Sequence, residues 1–117
     1  VNEKMAEFIN PIAILGEQMT KFTTEIGFKG MQNPDEVGAA AVDYLRVAGH
    51  LVFGYLFARM AQVSLRAIAN GSTDPFYTAK LQTARFYFAK LFPETVLLMR
   101  TARAGSKVLM DTDAALA

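Results

Sequence analysis

Helix start and stop signals cut this chain into segments whose apolar residues advance only by threes and fours, and that restricts it to helical architectures. Asn33-Pro34-Asp35-Glu36 reads as a helix start. The Asn33 side chain can accept a backbone N–H as N-cap, Pro34 suits the first helical position, and Glu36 stands where a capping-box carboxylate reaches back. Asp74-Pro75 repeats the signal. Asn70-Gly71 reads as a helix end, since glycine tolerates the left-handed conformation that closes a helix, and Gly27 to Gly30 closes an earlier stretch in the same way. Before that first close, Met5, Phe8, Ile9, Ile12, Leu15, Met19, Phe22 and Ile26 advance by threes and fours. The second segment does so through Val37, Ala41, Tyr44, Leu45, Ala48, Leu51, Val52, Tyr55, Leu56, Met60 and Val63, and the third through Tyr77, Leu81, Ala84, Phe88, Leu91 and Phe92. No stretch has a period of two.

Two prolines modulate this pattern. Asn10-Pro11 either starts a helix or kinks one that begins near Asn2. Phe92 is a poor cap, so Pro93 is expected to kink a continuous helix rather than end it. The expected fold is therefore all-α, with three long helices, or four if Pro93 breaks the last. Short links at 28–33 and 71–74 force neighbouring helices antiparallel, giving an up-down-up bundle. A length of 117 residues fits one domain, 1–117. The chain opens on Val1 rather than Met, as expected of a processed protein or of a fragment of something longer. The small, acidic tail from Asp111 to Ala117 is expected to fray.

Composition removes much chemistry. There is no cysteine, hence no disulfide, thiol nucleophile or thiolate metal site, which fits a reducing compartment and sets the expected location as cytoplasmic. With His50 the sole histidine and Val47 three positions before it, the Glu-x-x-His pairs of a di-metal bundle cannot be built, and no metal is expected. No Gly-x-Ser-x-Gly or phosphate loop is present, so no catalytic residue is assigned. His50 reads as a core or interface histidine with satisfied nitrogens. Gly49 and Gly54, inside the second helix, cost about 1 kcal/mol each against alanine and are expected to let a neighbouring helix approach closely. A formal net charge of +1 gives no bulk attraction to nucleic acid. The longest apolar run, Val47 to Phe57, is shorter than the ~20 residues of a membrane span.

Two clusters remain. Phe86-Tyr87-Phe88 with Phe92, and Phe53, Tyr55 and Phe57, point aromatic rings around most of two helices. A three-helix bundle cannot bury every face of two helices, so about half of these rings are expected in the core and the rest against a partner. Phe86, Tyr87, Phe88 and Phe92 are the candidate core or docking contacts. Arg100, Arg103 and Lys107, three and four apart, form a basic stripe. It suits either a phosphate or acidic partner, or a solvated helix C-terminus.

The stretches Asp43-Tyr44-Leu45-Arg46-Val47-Ala48-Gly49-His50, Gly54-Tyr55-Leu56-Phe57-Ala58-Arg59-Met60-Ala61 and the run from Phe76 to Thr95 resemble the C-terminal extra domain of a subgroup of acyl-CoA dehydrogenases similar to 3-methylmercaptopropionyl-CoA dehydrogenase. The likeness is strongest from Asn33 to Met110. It implies a parent enzyme that binds FAD and desaturates an acyl-CoA thioester, with a glutamate base taking the α-proton and the flavin accepting the β-hydride. No glutamate here matches that base, so none is carried over, and no cofactor is expected in this fragment itself. The resemblance further implies that the domain packs on the dehydrogenase body or between subunits of a homo-oligomer. Its rivals are a standalone helical protein–protein interaction module and a peripheral membrane patch built on the basic stripe.

Overall fold

The computed structural model describes residues 2–111, so the fraying expected of the tail falls, except at Asp111, outside the described residues. After a single 3-10 turn at Glu3–Met5 come α1 (Ala6–Gln32), α2 (Asp35–Ala69) and α3 (Pro75–Phe86). A π turn at Tyr87–Leu91 then leads to α4 (Glu94–Ala102) and a short α5 (Lys107–Met110). The described residues contain no strand. This is the expected all-α up-down-up bundle.

Its boundaries follow from local chemistry, with corrections. Asn33 Oδ1 accepts the Asp35 N–H at 3.1 Å, as a cap should. Glu36 does not reach back, because the Asn33 N–H is already held by the Lys29 carbonyl at 2.9 Å. Its carboxylate instead accepts the Ser106 hydroxyl at 2.6 Å and the Ser106 N–H at 3.3 Å, tying the start of α2 to the far end of the chain. These bonds, with Lys29 nearby, hold the Glu36 pKa below its ordinary value. Gly27 and Gly30 do not end α1, which runs on to Gln32. A β-carbon at Gly30 would fall on the Val37 side chain, so this glycine lets α2 turn back against α1 within two residues. Gly71 closes α2 as expected, at φ +95°. Asp74 Oδ1 caps α3 through the Phe76 N–H at 2.9 Å.

Pro11 lies inside α1, so the helix runs through it rather than starting there. Pro93 kinks a continuous helical path, and the strain is relieved just ahead of it. Proline has no N–H to give and crowds the carbonyl four residues back. The preceding turn widens, and Phe92 N–H bonds the Tyr87 carbonyl five residues back at 2.9 Å.

The helix order is read from its cross-links. Glu7 and Glu25 of α1 pair with Arg85 and with Arg103 just beyond α4, so α1 and the last arm run parallel. Both lie antiparallel to α2, where Thr23 meets Tyr44, and Thr101 meets Asp43. The molecule measures 67 × 27 × 14 Å with a radius of gyration of 18.9 Å. A compact domain of this length would have about 13 Å. The shape is a thin slab, with a core in two clusters along its length. Phe22, Leu15, Val47, Tyr87 and Met99 belong to one, and Phe8, Ala61, Leu81 and Ala84 to the other. By length and composition α2 would suffice to cross a membrane, because the apolar run at its centre is embedded in 35 helical residues. It lies between α1 and the last arm, which bury 28% of that apolar window.

Candidate functional site

The aromatic residues converge where the π turn meets α2. An i to i+5 bond sets Phe92 one turn above Tyr87, so a helix that would fan its rings outward turns three of them inward. Tyr87 stacks on Phe57 at 4.4 Å, and Phe88 stands 5.3 Å from both Tyr87 and Phe92. Gly54 is the floor of this knot. A β-carbon there would lie 3.2 Å from Phe92, 3.4 Å from Ile12 and 3.6 Å from Phe88, so the expected close approach occurs. Gly49 differs from the expectation: among the described residues no neighbour comes within 4 Å of its missing β-carbon.

A polar thread enters the same knot. Tyr87 Oη lies 2.9 Å from His50 Nδ1 and donates to the His50 carbonyl at 3.1 Å. His50 Nε2 is 3.9 Å from Glu94, which also receives the Arg46 guanidinium. Both ring nitrogens of His50 thus face partners. Burial, with Glu94 beside it, pushes the Tyr87 phenol up to about 12. It stays a neutral donor at any ordinary pH and orients the imidazole. Gly49, His50, Phe53 and Leu91 line a shallow groove over this thread. The groups in it are mutually paired, which suits fixing the register of two helices better than proton transfer to a substrate.

Of the four candidate docking residues, Tyr87 and Phe92 are buried, Phe88 is half-buried, and Phe86 is 58% exposed. Of the second aromatic set, Phe57 packs inward, while Phe53 and Tyr55 stand exposed. The larger uncovered surface was missed by attention to aromatic rings. Val42 and Leu45 of α2 are 78% and 73% exposed, and Val52, Leu56 and Val63 are each more than half exposed. Their spacing of threes and fours was legible; what was hidden is that α2 presents apolar residues on two faces and the slab covers one. Along one edge of this face runs the α1–α2 groove, of about 520 Å³ at the end lined by Ile26, Val37, Tyr44 and Leu45.

The basic residues do not form one stripe. The helix that would align them ends at Ala102, and Gly105 turns the chain at φ +85° before Lys107. Arg100 and Arg103 border one groove, Arg103 and Lys107 another. Arg103 is also committed, 3.2 Å from Glu25 and stacked 5.0 Å over Phe22. The described residues hold no cluster of three or more metal-ligating side chains.

Compared with known proteins, residues 1–113 match the family model described as acetyl-CoA dehydrogenase C-terminal like. No curated protein matches the chain.

Proposed function

The chain belongs to the acetyl-CoA dehydrogenase C-terminal like family, as a C-terminal domain of an acyl-CoA dehydrogenase, and from that premise we propose that it serves a parent enzyme as a structural and assembly domain. The parent is an FAD-dependent dehydrogenase of the subgroup similar to 3-methylmercaptopropionyl-CoA dehydrogenase, as the stretches from Asp43 to Ala61 and from Phe76 to Thr95 support. Bound FAD supplies that parent with the oxidant for α,β-desaturation of an acyl-CoA thioester. Residues 1–117 form one helical unit of the longer chain, carry no catalytic group, and meet acyl-CoA only through the parent.

The observation that carries this reading is the uncovered apolar surface of a 14 Å slab. Exposed Val42, Leu45, Val52 and Leu56 form a contiguous face too apolar to be left to water. The dehydrogenase body and a homo-oligomer are the partners that a C-terminal domain meets first. Phe86, at the start of the π turn, is the docking contact on the opposite arm, with Tyr87, Phe88 and Phe92 shaping the core beneath it.

Removing the segment from the parent tests the role. The truncated enzyme should keep its flavin absorbance and lose assembled mass or thermal stability. Unchanged mass and stability would overturn an assembly role. Loss of flavin with unchanged mass would place the domain in the cofactor site instead.

A further inference from the structure

The uncovered face is broader than α2 alone. On α1, Ile9, Ala13, Gly16, Thr20, Gly27 and Met31 recur at threes and fours, or seven positions over two turns, on the side that borders α2. Ile9 and Ala13 line a groove with Tyr55 and Arg59, and Gly27 lines one with Leu45. None of the six is charged. Of the α1 acids that pair, Glu7 and Glu25 turn the other way, to Arg85 and Arg103, while Glu17 pairs with Lys21 on α1 itself, one turn from Ala13 and Thr20. The row of six is itself uncharged and borders that exposed pair at its outer edge. The strip from Gly38 to Val63 is ~40 Å long and ~20 Å wide across two helices, on the order of 800 Å², which is what one partner of a stable dimer contributes.

We infer that this face pairs with the same face of a second copy of the chain, with the two α2 helices antiparallel about an axis beside Leu51. The spacing of α2 is self-complementary about that point. Val42 meets Met60 of the other copy, Leu45 meets Leu56, and Phe53 meets Gly49. Gly49 is the open position to which no neighbour among the described residues comes close, and a ring from the other copy fills it. The antiparallel order also handles the face's charges, Arg59 and Arg66. It holds the two Arg59 residues ~24 Å apart along the helix, well beyond the ~8 Å screening length, whereas a parallel order sets like charges side by side. The inference deepens the assembly role proposed above and rests on it only for its setting.

The chain has no cysteine, so single introduced cysteines report the register. In solution the 117-residue chain should have twice its 12.8 kDa mass. With a short bismaleimide, Val52→Cys should cross-link to a dimer, while Val63→Cys alone should not. A mixture of Gly38→Cys and Val63→Cys should cross-link. Leu56→Arg should weaken pairing at least tenfold with helicity retained, and the cysteine variants keep the test valid if it unfolds. A monomer without cross-links, self-cross-linking of Val63→Cys, or Val52→Cys protected only by anionic vesicles would each overturn the pairing. A monomer, with the native polypeptide a large flavoprotein, sinks the pairing alone. A dimer, with the native polypeptide small and colourless, sinks the dehydrogenase role alone.

Discussion

Tyr87 concentrates much of what holds the last arm to α2, since one hydroxyl meets both the His50 ring and the His50 carbonyl. Tyr87→Phe keeps the ring stack on Phe57 but leaves a mostly buried imidazole nitrogen without its partner. It should cost ~1–2 kcal/mol, read as a lowered midpoint in urea. The same group sets a pH dependence. The unfolded phenol ionises near its ordinary value of 10.0, the folded one only near 12. Between those values the unfolded state binds fewer protons, so stability falls as pH rises through that window. Tyr87→Phe should remove this component of the alkaline slope, as paired denaturation curves at pH 9 and 11 would show. The two helical glycines give a second contrast. Gly54→Val drives a branched side chain into Phe92, Ile12 and Phe88 and should destabilise by ~1–3 kcal/mol. Gly49→Ala meets nothing among the described residues and should stabilise the isolated fold by up to ~1 kcal/mol. Sequence treated these glycines alike, because spacing shows that a position lies in a helix and not which helix comes near it.

At the scale of the element, caps and breaks were readable where the deciding partner is close in sequence. The Asp74 cap and the Gly71 close depend on residues two or three away and came out as expected. Asp74→Ala should cost ~1 kcal/mol, measured as a drop in thermal midpoint with the helical signal kept. Signals settled by distant partners were misread. Glu36 has the spacing of a capping box but bonds Ser106, 70 residues away. Gly30 looks like a stop, yet what it supplies is room for Val37. Because its Ser106 bonds hold the Glu36 pKa low, the tie contributes fully above the ordinary carboxylate range and is lost as pH falls through the lowered value. Glu36→Gln should therefore flatten part of the acid limb of the stability profile. The widened turn before Pro93 was half legible. The proline announced a kink, but nothing in the spacing announced that Tyr87, Phe88 and Phe92 would all turn inward.

For the whole molecule, helix count and antiparallel order followed from punctuation and short links. The thinness of the slab did not, because a helix that is apolar all round is compatible with a central place or an edge place. The excess of apolar residues in α2 led to the expectation of a partner, and the apolar residues left exposed lie on the α1–α2 side, around Leu45, Val52 and Leu56. The basic stripe failed for a related reason: its three residues share a helical spacing across a turn at Gly105 that ends the helix. An account in which this domain completes itself against a larger dehydrogenase is tested most directly on the native polypeptide. It can be captured from source cells with an antibody to this segment and read by intact mass and visible absorption. The account predicts a chain several times larger than 12.8 kDa carrying the yellow absorbance of bound flavin. A colourless polypeptide near 12.8 kDa would contradict it and leave a standalone helical interaction module.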